Sequence, residues 1–254
     1  MGKVDLNSDL GESFGTYRIG MDEDILDHVT SANVACGFHA GDPMVMDRTI
    51  RLCREKHVRV GAHPGYPDLQ GFGRRNMALT PEETKNDVLY QVGAIQAFLK
   101  AYDMPLQHVK LHGALYNTAA KSYELSLAIC EGIRKIAPDA VFLGLSGSKM
   151  LEAAEHAGLR TAGEVFADRA YHSDGSLVSR REPGSVLHDP EVVIARTIRM
   201  VRDGVVESVE GELVPIRADS ICVHGDTREA VCFVASIRKA LTEAGIRICP
   251  LIEE

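Results

Sequence analysis

Four histidines of this chain stand at equivalent places, each just beyond a run of aliphatic residues. They are His39 in NVACGFHAGD, His63 in VRVGAHPG, His112 in VKLHGALYN and His224 in ICVHGD. Imidazole titrates nearest neutrality among the side chains, so such a set suits proton transfer or metal ligation. Carboxylates accompany it: Asp9 and Glu12 bracket Gly11, and Asp42 follows closely on His39. An acidic pair of this kind can serve as acid and base. Asp9, His39 and His63 together offer nitrogen and oxygen donors to Zn²⁺ or Mn²⁺. No HExxH motif is present, and neutral imidazoles with carboxylates do acid–base work without a metal, so the presence of one stays open.

Aliphatic runs of strand length occur near residues 4–9, 31–36, 58–63, 108–113, 140–146, 161–168 and 220–225, with RICPL at 247–251 as a possible eighth. Helical patterns lie between most of them. Val88, Val92, Ile95, Leu99 and Tyr102 form a 3.6-period stripe, opened by Thr80 as N-cap, Pro81, and Glu83 completing a capping box. Val231, Val234, Ile237 and Leu241 form another stripe over 227–244, ended by Gly245. Regular strand–helix alternation without a low-complexity linker predicts one domain over 1–254, a (β/α) barrel of the TIM type with seven or eight strands. In such barrels the chemistry sits where strand C-termini converge. VVESVEGELVPI, residues 205–216, reads as a hairpin around Glu210-Gly211.

Side chains alternate across a strand, so parity assigns faces. Asp5, Asn7 and Asp9 oppose Val4 and Leu6; Asn33 and His39 oppose Ala32, Val34 and Cys36; Arg59, Gly61 and His63 oppose Val58, Val60 and Ala62. Lys110 and His112 oppose Val109 and Leu111; Glu164, Phe166 and Asp168 oppose Val165 and Ala167; Ser220, Cys222 and His224 oppose Ile221 and Val223. The aliphatic parity should meet the helices, which leaves the polar parity inside the barrel. Unpaired charges there would cost several kcal/mol each, so the reading requires a hydrogen-bonded network opening toward a ligand.

Two polar stretches break the alternation: 65–79, with Arg74 and Arg75, and 168–189, with Arg169, Arg180 and Arg181. Loops this long inside a domain are usually functional or disordered. Arginine forks suit carboxylates and phosphates, and Arg74 and Arg169 are the favoured clamps, with Arg181 read as surface charge. Asp42, Asp189 and Asp226 each precede a helical pattern and also read as N-caps. GLSGSKM at 144–150 is too short for a P-loop and ends in Met.

With 45% hydrophobic and 25% charged residues the composition is that of an ordinary globular protein. A net charge of −8 argues against nucleic acid or an anionic membrane as partner. Six cysteines without a CxxC pair read as buried free thiols of a cytoplasmic protein, Cys36 and Cys222 being the nearest to catalytic candidates. No charged and apolar leader precedes the first strand, and no apolar stretch has membrane-spanning length.

The blocks DLNSDLGESFG, SANVACGFHAGD, GAHPGYPDLQGFGRR, VKLHGALYN, EVFADRAY, DGSLVSR and CVHGD, in this order from residue 5 to about 245, resemble the LamB/YcsF family, that of 5-oxoprolinase A subunits. Leu111 departs from the proline of that family's KPHGALYN block. The resemblance implies a barrel related to the glycoside hydrolase/deacetylase barrels. It implies ATP-dependent opening of the lactam of 5-oxoproline to L-glutamate, with Mg²⁺-ATP consumed, alongside subunits B and C. Onto that reaction the residues are assigned as follows: Asp9, His39, His63 and His112 for proton transfer, and Lys110 for an oxyanion or phosphate. Asn7, Glu12, Asn33, Asp42, Arg74, Glu164, Asp168, Arg169 and His224 contact or orient the substrate. A metal-dependent deacetylase or sugar hydrolase, and a non-catalytic lactam-binding component, are the alternatives; homo-oligomer formation is left open.

Overall fold

The computed structural model of the protein describes residues 2–225 and 227–253. Chain order runs β1 (Lys3–Leu10), α1 (Asp22–Ile25), β2 (Ser31–Ala35), α2 (Pro43–Glu55), β3 (Arg59–His63), α3 (Pro81–Ala101), β4 (Leu106–Lys110), α4 (Gly113–Ala119) and α5 (Tyr123–Ile136). It continues through β5 (Val141–Leu145), α6 (Lys149–His156), β6 (Arg160–Phe166), α7 (Pro190–Asp203), β7 (Val205–Glu207), β8 (Leu213–Pro215), β9 (Ser220–Cys222), α8 (Arg228–Glu243) and β10 (Arg247–Ile248).

Strands β1 to β6 and β9 pair in parallel in sequence order, and β9 pairs back onto β1, closing a seven-stranded barrel. The possible eighth strand forms only as β10, which pairs with Lys3 and Val4 at the start of β1, just before β9 takes over at Asp5. It lengthens one strand's edge and adds no stave. The expected hairpin is the antiparallel pair β7–β8.

The aliphatic parity packs outward. Leu6, Val34, Val60, Val109, Val165 and Ile221 have no exposed surface and join one core with Ile50, Val92, Ile95, Ile129 and Ile237 of the helices. Burial of each such side chain stabilises the fold by about 1.5–3 kcal/mol. Strand β5 departs from the polar-inside pattern. Its register sets Leu143 beside Lys110 and Leu145 beside Glu164, so these leucines share the inward face. Val141, Leu143 and Ala162 form a small cluster with Leu251 and Ile252, so the C-terminal segment plugs the barrel end opposite the polar rim.

Helix starts follow the side-chain signals. Thr80 and Glu83 form the reciprocal capping box of α3, and Asp189 accepts from Glu191 and Val192 N–H at α7. Thr227 caps α8 through Ala230 N–H, while Asp226 lies outside the described residues. Among the described residues no helix is long and apolar enough to cross a membrane. All six cysteines are free, and five are buried.

Candidate active site

The inward parity stacks into three polar levels. At the lowest, Asp5 accepts from Thr30 and Ser31 hydroxyls, each at 2.6 Å, and from Ser220. Burial pushes its carboxyl up to about 6 against the pull of these hydroxyls.

Lys110 holds the middle level. Its Nζ lies 2.9 Å from Asp9 Oδ1, 2.8 Å from Glu164 Oε1 and 3.2 Å from Asn7 Oδ1. Burial works against both ions of the Lys110–Asp9 pair. For Asp9 it is outweighed by His63, Lys110 and His112 together, which hold the carboxyl well below the usual range. For Lys110 it is outweighed by Asp9, Cys222 and Glu164, which hold the ammonium well above its ordinary value. Asn33 donates to Asn7 Oδ1 at 2.7 Å and to Asp9 Oδ1 at 2.8 Å, and Tyr116 donates to Glu164 Oε2 at 2.7 Å. This is the paired network that a charged barrel interior requires, with Glu164 Oε1 met by the Lys110 ion pair and by no further hydrogen bond among the described residues.

At the rim, backbone carbonyls set the histidine tautomers. His63 Nδ1–H donates to Lys110 O at 2.9 Å, and His112 Nε2–H donates to Phe72 O at 2.9 Å. His63 Nε2 and His112 Nδ1 then face one another at 3.0 Å, with Asp9 Oδ1 3.4 Å from the former and Glu12 Oε1 3.7 Å from the latter. His39 stacks on His112 at 3.6 Å between centroids, and its Nε2 lies 3.2 Å from Glu12 Oε1. Burial and the neighbouring imidazoles hold His39 and His112 well below the ordinary histidine pKa, which keeps both rings neutral near pH 7.

The 65–79 loop makes this packing. Phe72 takes φ of 54°, a left-handed conformation that costs a non-glycine residue about 1–2 kcal/mol, and so aims its carbonyl at His112. Gly73 follows at φ +62°, where a Cβ would sit 2.7 Å from both His112 Cδ2 and His39 Cβ. The second loop, 168–189, is ordered by bridges Arg169–Val186 and Tyr171–Leu177.

Over the rim opens a cavity of about 570 Å³, of a size suited to a small organic ligand. Asp9, Glu12, His63, Lys110 and His112 form its floor and one wall; Arg74, Arg169, Arg180 and His224 form the other sides. Asp168 Oδ2 lies 3.4 Å from His224 Nδ1, and Arg180 donates to His224 Nε2 at 3.3 Å. Asp168 lifts the His224 pKa above its ordinary value despite burial.

Several expected contacts lie elsewhere. Asn7, Asn33 and Glu164 share the right parity but are fully buried below the cavity, where they satisfy Lys110, Asp9 and one another. His39 is sealed behind His112, and Asp168 reaches the cavity only through His224. Arg169 lines the cavity, yet its guanidinium donates to Val178 and Ser185 carbonyls and braces the loop. Asp42 is outside the cavity wall: it caps α2 by accepting from Met44 N–H at 2.8 Å and Val45 N–H at 3.0 Å, and it receives Gly15 N–H at 2.7 Å. A helix start with unsatisfied N–H groups claimed that carboxylate.

Sequence reasoning missed His108, Tyr116 and Arg18. His108 belongs to the parity of Lys110 and His112, which was the available signal, and its Nε2 lies 2.6 Å from Asn33 Oδ1. His108 and His112 also make an HxxxH spacing, but the first ring lies deep in the barrel and the second at its rim. Tyr116 and Arg18 carried no signal, since one lies on α4 and the other on an exposed loop; both line the cavity.

A family model described as the LamB/YcsF family matches residues 4–254. The A subunit of 5-oxoprolinase from Thermococcus sibiricus is 57% identical over 251 residues, 99% of this chain and 98% of the relative. The crystal structure of a lactam utilization protein from Thermus thermophilus is 47% identical, with a TM-score of 0.92 over 97% of this chain and 99% of that one. The catalytic domain of a peptidoglycan N-acetylglucosamine deacetylase from Eubacterium rectale shares the fold alone, at 12% identity and a TM-score of 0.50, covering 99% of this chain and 90% of that one. Sequence and barrel agree along the whole length of the molecule, and the chain belongs to the LamB/YcsF family.

Proposed function

We propose that this chain is the lactam-handling A subunit of an ATP-dependent 5-oxoprolinase, working with subunits B and C in the cytoplasm. The observation that carries the reading is full-length identity of 57% to a relative named as the A subunit of 5-oxoprolinase. The site supports it chemically. A five-membered lactam resists water because amide resonance must be broken and ring closure is favoured, so the reaction needs coupling to Mg²⁺-ATP. Transfer of the γ-phosphoryl group to the lactam oxygen releases ADP and leaves an electrophilic carbon. One water adds to that carbon, and the ring C–N bond breaks as nitrogen takes a proton, giving an acyl phosphate. A second water displaces phosphate and leaves glutamate.

Asp9, held ionised beside Lys110, takes the proton of the first water as that water bonds to the activated carbon, and His224, whose pKa Asp168 raises, gives a proton to the ring nitrogen. Lys110 is already engaged by three acceptors, so its part is to hold Asp9 charged and in place. Arg74 and Arg18 line the cavity, and their guanidinium forks suit the substrate carboxylate. The absence of a P-loop motif in the sequence favours a phosphoryl donor bound with help from the partner subunits.

The test is oxoproline-dependent ADP formation by the chain alone and after addition of subunits B and C. Turnover is expected only in the assembled mixture, with a loss of roughly 100-fold or more for Asp9→Asn. Full turnover by subunits B and C without this chain would overturn the assignment, and full turnover with D9N would overturn the role of Asp9.

A further inference from the structure

We infer that Glu12, His39, His63 and His112 form a binding site for one divalent transition-metal cation at the cavity wall. One potential ligand atom from each of the four lies within 4.8 Å of every other. Three of the six pairs are His63 Nε2 with His112 Nδ1 at 3.0 Å, His39 Nε2 with Glu12 Oε1 at 3.2 Å, and His112 Nδ1 with Glu12 Oε1 at 3.7 Å. Tetrahedral coordination with bonds of about 2.0–2.1 Å sets ligand atoms about 3.3 Å apart, which these spacings bracket.

The tautomers make the argument specific. The carbonyls of Lys110 and Phe72 take the N–H of His63 and His112 respectively. Both remaining nitrogens therefore present lone pairs, and they present them to each other at hydrogen-bond distance. Two acceptors facing across 3.0 Å repel unless a positive centre lies between them. A bridging proton would serve that pair alone, whereas a cation can also draw in the Glu12 carboxylate and, once its ring turns out of the stack on His112, His39. The carbonyl bonds are also the outer contacts that metal-bound histidines make, fixing tautomer and ring orientation. His39 Nδ1 has no hydrogen-bond partner among the described residues, and a cation would take over the contact that Nε2 now makes with Glu12 Oε1.

Three imidazoles and one carboxylate favour Zn²⁺, Co²⁺ or Mn²⁺ over the oxygen-seeking Mg²⁺ and Ca²⁺. Of the donors suggested by sequence, His39 and His63 are in the set. Asp9 gives way to Glu12 and His112, because its Oδ1 already accepts from Lys110 and Asn33. Glu12, His63 and His112 border the cavity, so a bound cation would face the ligand held there.

The inference stands on geometry and does not depend on the lactam reading, and its test needs no turnover. The full chain, stripped with chelator, is titrated with ZnCl₂ by calorimetry and with CoCl₂ by visible absorption. One Zn²⁺ per chain, a raised melting temperature, and the intense bands of four-coordinate Co²⁺ are expected. His112→Ala and the near-isosteric Glu12→Gln should each weaken Zn²⁺ binding, the former by roughly 100-fold or more, while His172→Ala, at a residue paired with Glu210 and outside the cavity lining, leaves it unchanged. Absence of stoichiometric binding by the wild-type chain, or binding indifferent to both H112A and E12Q, would overturn the site and leave the lactam reading untouched.

Discussion

Lys110 is the side chain on which the rest of the site depends. It neutralises Asp9 and Glu164 at once, inside a barrel where neither has another Lys or Arg within ion-pair distance among the described residues. Removing one partner of a buried ion pair leaves an uncompensated charge and costs about 3–5 kcal/mol. Lys110→Met should therefore lower the unfolding free energy by about that amount, measured by urea denaturation. It should also depress kcat of the assembled enzyme far more than it raises KM, because Asp9 loses the cation that holds it ionised and in place. An unchanged kcat would show that Asp9 does not need its lysine. At this scale parity was an effective guide: Asp9, His63, Lys110 and His112 all border the cavity. Parity could not tell depth along the strand. Asn7, Asn33 and Glu164 share the face of the cavity residues yet lie levels below it.

Among the elements, β3 shows how a strand makes room for the network. A Cβ on Gly61 would come within 2.1 Å of His108 Nε2, in the adjacent strand β4. His108 is fully buried and fixed by its bond to Asn33, so it cannot swing away without breaking the middle level. Gly61→Ala should cost about 1–3 kcal/mol or more as an overpacked core. The double variant with His108→Ala should be markedly less unstable than the two single losses summed, giving a measurable coupling energy in a double-mutant cycle. Additivity would mean the two residues do not compete for space. Helices announced themselves because their caps and apolar stripes are local: Thr80 with Glu83, and Asp189, behave as their neighbours dictate. The long loops did not, since their order comes from distant partners such as the Phe72 carbonyl with His112 and the Arg169 guanidinium with Val178.

For the whole molecule, barrel closure places Asp5 on β1 against Ser220 on β9, from opposite ends of the chain. Its carboxyl is raised to about 6 from an unfolded value near 4, chiefly by burial. A group raised on folding contributes stability that is fully present below about pH 4 and is lost as pH climbs through about 6. The loss amounts to about 3 kcal/mol. Asp5→Asn should abolish this component, so the difference between variant and wild-type unfolding free energies should shift in favour of the variant from pH 4 to pH 7. Parallel pH profiles would mean that Asp5 titrates with the same pKa in the folded and the unfolded state. Alternation of aliphatic and polar residues determined the barrel, its inward polar face and the histidine-bearing rim, because strand periodicity and burial are written residue by residue. Only the closed structure decided that seven strands suffice, that Asp42 belongs to a helix cap, and that Glu12 and His112 meet His39 and His63. Those outcomes depend on register and on distances between segments far apart in the chain, which no local pattern specifies.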